Sequence, residues 1–202
     1  LASTPRGEEH LDGILTAANV VTVVRLACIP VYVYLLFGRH NTTAAAILLA
    51  VLGATDWVDG QLARRLSQVS SVGKVLDPVA DRVLMVTAII TVAWVGAVPW
   101  WFAGLTLARE VLVSAATLLL ASLGAKRIDV LFIGKAGTFA LMVAYPSFLI
   151  GHGDAAWQAW FRGLGWSVGI IGLVLSWAAL VSYVGPARTA LREGRRARSA
   201  AS

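Results

Sequence analysis

Six apolar runs, near residues 20–37, 43–63, 79–98, 100–122, 130–150 and 164–184, take up most of the chain and leave only short connections. Runs of about 20 residues match the hydrocarbon core of a bilayer. Inside that core every backbone amide and carbonyl must be paired within the segment or around a closed barrel. Runs of this length therefore predict helices. Composition agrees: of 202 residues 58% are hydrophobic and 14% charged, with a mean hydropathy of +0.75. A soluble domain carries about a quarter charged residues. The expected architecture is an all-α, polytopic membrane protein with six transmembrane helices in a single domain over residues 1–202. Residues 1–18 mix Glu8, Glu9 and Asp12 with Leu11, Ile14 and Leu15, and read as a short interfacial helix without the basic-then-apolar order of a signal peptide. A chain beginning on Leu1 is expected to lack its native first residue. Cys28, the single cysteine, lies in an apolar run, where packing is its expected role.

The basic residues flanking these runs are unevenly shared. Arg6, Arg64, Arg65, Lys74, Arg82, Lys126, Arg127, Lys135 and arginines 188, 192, 195, 196 and 198 fall to one side, and Arg39 and Arg162 to the other. Thirteen against two places both termini on the cytoplasmic face of a cell membrane. The basic tail, residues 188–202, then reads as an anchor on anionic headgroups rather than a nucleic-acid site. At the opposite face, Asn41-Thr42-Thr43 should cap the second helix, Gly96 to Pro99 should form a tight turn, and Trp94, Trp100 and Trp101 should lie in an aromatic belt. Gly151-His152-Gly153-Asp154 opens what should be the longest loop there. Rossmann and P-loop glycine patterns are absent from the sequence, which argues against a soluble-type nucleotide site.

Four carboxylates interrupt the apolar pattern in DWVDGQLARRLSQVSSVGKVLDPVAD, residues 56–81. Asp56 and Asp59 are three apart and Asp77 and Asp81 four apart, so each pair stacks on one helix face. Two such helices facing each other would gather four acids at one point. Carboxylates at membrane depth are costly and mark function by default. Four negative charges in a low dielectric call for hard cations, and all-oxygen ligation suits Mg²⁺ or Mn²⁺. The competing reading pairs them at a surface with Arg64, Arg65, Lys74 and Arg82, which would require neither the intervening glycines nor this spacing.

The eight positions Asp56, Asp59, Gly60, Ala63, Arg64, Gly73, Asp77 and Asp81 obey D-x2-D-G-x2-A-R-x8-G-x3-D-x3-D. Here the chain resembles the CDP-alcohol phosphatidyltransferase family, over nearly its whole length and most strongly from Asn19 to Lys135. The resemblance implies a six-helix enzyme whose polar cavity opens to the cytoplasm. Such an enzyme moves a phosphatidyl group from CDP-diacylglycerol to an alcohol and releases CMP. It implies two divalent cations on Asp56, Asp59, Asp77 and Asp81, with Asp81 as the general base. The cytidine and its phosphates would lie against Asp56, Gly60, Arg64, Ser70 and Gly73. Dimers are usual in this family, so a homodimer is the assembly the resemblance suggests.

Asn19, Thr22 and Arg25 share a face at the start of the first helix. The family often has a proline before the asparagine, where this chain has Ala18. Arg25 either points into the cavity at a phosphate or snorkels to the interface, with Asn19 and Thr22 as supporting or capping groups. Arg109 and Lys135 would suit the phosphate of the acceptor, with Glu110 holding Arg109 in position. The alternative is a salt bridge that only joins helices.

The strings Ala108-Arg109-Glu110 and Ile133-Gly134-Lys135 resemble the glycerol-acceptor branch, which includes phosphatidylglycerophosphate and cardiolipin synthases. Phosphatidylglycerophosphate synthases often carry a second lysine where this chain has Gly137, and a glutamine where it has Leu141. Fewer basic groups fit the singly charged phosphodiester of phosphatidylglycerol better than glycerol 3-phosphate, and a lysine restored at 137 is then expected to favour the latter. Both acceptors stay open on the sequence. Inositol phosphate or serine is the further alternative. A small ion-coupled transporter is the rival from another class. It would require two similar halves, and the sequence shows none.

Overall fold

The computed structural model describes residues 17–66, 73–122, 132–153 and 156–182, with side chains described for 21–55, 79–116, 133–153 and 156–182. Within these residues the regular secondary structure is helical, joined by short turns. Helix α1, Ala17–Val33, runs into a π-helical turn at Tyr34–Gly38. It is followed by α2, Thr42–Leu66; α3, Gly73–Trp94; α4, Trp100–Ser122; α5, Phe132–His152; and α6, Gln158–Ser182. By length and composition, three stretches could cross a membrane: Val21–Gly38, Ile133–His152 and Gln158–Ser182. The interfacial segment expected over residues 1–18 lies almost wholly outside the described residues, and the basic tail lies entirely outside them.

The six helices coincide with the six apolar runs, with informative differences at their ends. Helix α2 continues to Leu66 and α3 starts at Gly73, so all four carboxylate positions are helical. Hydropathy ends a run at the first charged turn, whereas backbone hydrogen bonding continues through it. For the same reason α6 begins at Gln158 rather than near 164, and the loop from Gly153 is shorter than expected.

Polar signals at the turns act as anticipated. The Asn41 side chain accepts from the Ala44 amide at 2.9 Å and caps α2. Gly96, at φ +80°, ends α3. Its amide donates to the Ala93 carbonyl at 3.0 Å, and that of Ala97 to Val92 at 3.1 Å. A left-handed residue there closes a Schellman turn, which a side chain would strain.

Helix α1 packs on α2 and α3, α3 on α4 and α5, and α5 lies along α6. The core concentrates where α4 begins and α5 ends. Phe102 sets its ring against Phe148 at 5.6 Å and Tyr145 at 6.3 Å, and Trp166 stands edge-on to Phe148 at 5.3 Å. Phe102, Tyr145 and Phe148 are almost completely buried. Tyr32 on α1 meets Thr91 on α3 through a 2.7 Å hydroxyl contact, so its buried oxygen is satisfied. Trp94, Trp100, Trp101, Trp157 and Trp160 stay exposed around this end.

Candidate active site

The polar residues collect toward the other end of the bundle. Arg25, nine residues before the π-helical segment at Tyr34, is 3% exposed, and its Nη1 donates to Asp81 Oδ1 at 3.0 Å. This joins α1 to α3. Thr22, one turn earlier on the same face, is also buried. The Asp81 side chain keeps 38% exposure, so it is anchored from α1 while still meeting an opening.

A second set of charges sits beside the first. Arg82, next to Asp81, donates from Nη1 to Glu110 Oε1 at 2.6 Å and to the hydroxyl of Ser114, joining α3 to α4. The other oxygen of Glu110 accepts from Arg109 Nη1 at 2.9 Å. Arg109 Nη2 donates to Thr138 Oγ1 at 3.1 Å, which carries the network to α5, and Thr138 in turn donates to the Gly134 carbonyl at 3.0 Å. Glu110 thus pairs with Arg109 on its own helix and joins α3 to α4 through Arg82. Arg109 is buried, and its Nε has no hydrogen-bond partner among the described residues. Lys135, one turn before Thr138, is exposed.

Arg82, counted in the sequence among the flanking cytoplasmic charges, pairs with Glu110 from within α3, and Arg64, Arg65, Lys74 and Lys135 of the same set also fall on helices. Gly137 does not offer a place for a second lysine. A Cβ there would lie 2.6 Å from Ser176 Oγ, 2.8 Å from the Ser176 amide nitrogen and 3.0 Å from the Gly172 carbonyl. The absent side chain is what lets α5 and α6 approach, so the lysine restored at 137 would act on packing before it acted on an acceptor.

Asp56, Asp59, Gly60 and Arg64 fall on α2, and Gly73 and Asp77 on the first turns of α3. Their side-chain arrangement, the side chain of Asn19 and the whole of Ser70 lie outside the described residues. Of the proposed site, the structure brings together Arg25 with Asp81, and Arg109 with Glu110. Arg82, Ser114 and Thr138 were missed. The available signals were weak: Arg82 follows the last carboxylate directly, and Ser114 stands one turn beyond Glu110 on the same helix.

Residues 15–183 match the CDP-alcohol phosphatidyltransferase family. The chain belongs to that family. It is an enzyme of the phosphatidyltransferase class, and the transporter reading falls. Among its relatives, a putative cardiolipin synthase of Mycobacterium tuberculosis is 39% identical over 170 residues, covering 84% of this chain and 81% of the relative. A cardiolipin synthase (CMP-forming) of Streptomyces coelicolor is 35% identical over 186 residues, covering 90% and 86%. The CDP-diacylglycerol–glycerol-3-phosphate 3-phosphatidyltransferase of Bacillus subtilis is 32% identical over 146 residues, covering 65% and 75%. The similarity thus reaches both of the glycerol-acceptor activities between which the sequence left the choice open.

Proposed function

We propose that this phosphatidyltransferase transfers the phosphatidyl group of CDP-diacylglycerol to phosphatidylglycerol, releasing CMP and forming cardiolipin. The observation that carries the reading is Asp81, the last position of the family's carboxylate motif, held at 3.0 Å by buried Arg25 in a chain that matches the family from 15 to 183. The higher identity and fuller coverage of the two cardiolipin synthases favour phosphatidylglycerol as acceptor. Glycerol 3-phosphate is the second reading, supported by the Bacillus subtilis relative.

The donor chemistry fits hard divalent cations. The carboxylate motif offers oxygen alone, and Asp81 is anchored on one side and exposed on another. Asp56, Asp59, Asp77 and Asp81 would hold Mg²⁺ or Mn²⁺, and two such ions, when bound, would offset the carboxylates and stabilise charge on the phosphoryl oxygens and departing CMP. Asp56, Gly60, Arg64, Ser70 and Gly73 hold the cytidine and its phosphates, the two glycines allowing close approach of backbone. Asp81, oriented by Arg25, takes the proton from the acceptor hydroxyl as that oxygen attacks the lipid-side phosphorus. Asn19 and Thr22 support Arg25 from the same helix face. Arg109 and Lys135 receive the acceptor's phosphate, and Glu110 fixes the direction of Arg109. All six helices cross the cell membrane in this reading, with the site and both termini cytoplasmic. The basic asymmetry supports that orientation.

The test supplies purified protein with CDP-diacylglycerol, Mg²⁺ or Mn²⁺, and either phosphatidylglycerol, glycerol 3-phosphate, inositol phosphate or serine. Cardiolipin and CMP should form, and excess chelator should stop the reaction. Phosphatidylglycerophosphate as the main product would shift the assignment to the second reading. Turnover unaffected by chelator would overturn the metal assignment.

A further inference from the structure

Glu110 is shared by two guanidinium groups, one on each of its oxygens. Arg109 takes Oε2 at 2.9 Å and Arg82 takes Oε1 at 2.6 Å. A carboxylate paired with Arg109 alone would cancel its charge, leaving a neutral pair with little attraction for an anion. With Arg82 on the opposite oxygen, the three side chains together carry one net positive charge. Arg109 is 7% exposed on its side chain, and its Nε lacks a hydrogen-bond partner among the described residues. Arg82 is 38% exposed. The charge held in this cluster is therefore poorly screened at Arg109, and Arg82 offsets the Glu110 charge that would otherwise remove it.

We infer that Arg82 is a positioning residue for acceptor binding: by occupying one oxygen of Glu110 it leaves Arg109 oriented yet electropositive toward the acceptor's anionic group. Arg82 touches neither substrate in this account and acts through Glu110. One net charge also matches a singly charged phosphodiester. The inference rests on the reading that Arg109 receives the acceptor phosphate.

The experiment is a charge-balance cycle on full-length enzyme, reading the KM for acceptor and for CDP-diacylglycerol separately, with thermal stability measured alongside. Arg82→Gln should raise the acceptor KM about tenfold, well below the worth of an adjacent unit charge at an effective dielectric of about 20, because Arg82 acts through Glu110 and is itself 38% exposed. The KM for CDP-diacylglycerol should stay within about twofold. Arg82→Lys, which keeps the charge, should remain near wild type. The double variant Arg82→Gln with Glu110→Gln restores the single positive charge, since the glutamine amide oxygen still accepts from Arg109, and should recover most of the acceptor KM. A helix-joining role alone predicts the reverse: lower stability in both variants and no recovery in the double. That result, or an unchanged acceptor KM in Arg82→Gln, overturns the inference. Arg109→Gln separates the two levels. If it leaves the acceptor KM unchanged, the acceptor reading fails and this inference with it. If it raises that KM while Arg82→Gln does not, only this inference fails.

Discussion

The two ends of the bundle are held together in different ways. At the turn end, Phe102, Tyr145, Phe148 and Leu149 are buried among apolar neighbours, and the cross-helix polar contacts include the Tyr32–Thr91 hydroxyl pair and the Arg162 guanidinium donating to the Gly151 carbonyl at 3.2 Å. Toward the other end, Arg25–Asp81 and the Arg82–Glu110–Arg109–Thr138 chain tie four helices with charge. Packing is non-directional and tolerant of small shifts, whereas charge-assisted bonds fix atoms to a few tenths of an ångström. Between membrane helices, apolar contact gains little over lipid, so interlocking aromatic shapes must supply the fit. The packed end can therefore serve as scaffold while the charged end holds chemistry.

The largest expected effect falls on the charged end. Asp81→Asn should lower turnover about 10²- to 10⁴-fold, the usual worth of a positioned base, while CDP-diacylglycerol still binds. Near-normal kcat would show that Asp81 only fastens α3 to Arg25. Phe148→Ala tests the packed end: it should cost about 3–5 kcal/mol of stability, seen as a fall in the midpoint of thermal unfolding in detergent, with the KM values barely changed. A rise in acceptor KM without loss of stability would erase the division between the ends. Arg109→Gln should raise the acceptor KM about ten- to a hundredfold, the range for a charge-assisted contact to phosphate. Lys135→Gln should do less, because the lysine is exposed and solvent screens it. Equal effects would mean that burial does not set the strength of these contacts. Smallest is Tyr32→Phe, at about 1 kcal/mol of stability and no kinetic change. Thr91 keeps its bond to the Thr87 carbonyl, so little is left unsatisfied.

Much of this was legible in local pattern. Six apolar runs gave six helices because the period of hydrophobicity and the need to pair every backbone group act residue by residue. The Asn41 cap and the Gly96 turn were equally local, resting on a side chain three residues from its partner and on one backbone angle. Helix ends were misjudged wherever charges entered a helix, at α2, α3 and α6, because hydropathy measures composition and not hydrogen bonding. The acidic motif pointed to the family, whose match the chain bears out over residues 15–183.

What the sequence determined by itself was the class of protein, the family and the carboxylates to watch, since each depends on spacing along one helix or one motif. Which cation meets which carboxylate was decided only by tertiary structure. Arg25 and Asp81 stand 56 residues apart, and Arg82 and Glu110 stand 28 apart. Gly137 shows the same limit from the other side: read along the chain it is a missing lysine, and in the fold it is the contact that admits Ser176. Pairings between helices depend on how each helix is rotated and how closely it packs. Those are set by the sum of many side-chain volumes, and no short segment of sequence records that sum.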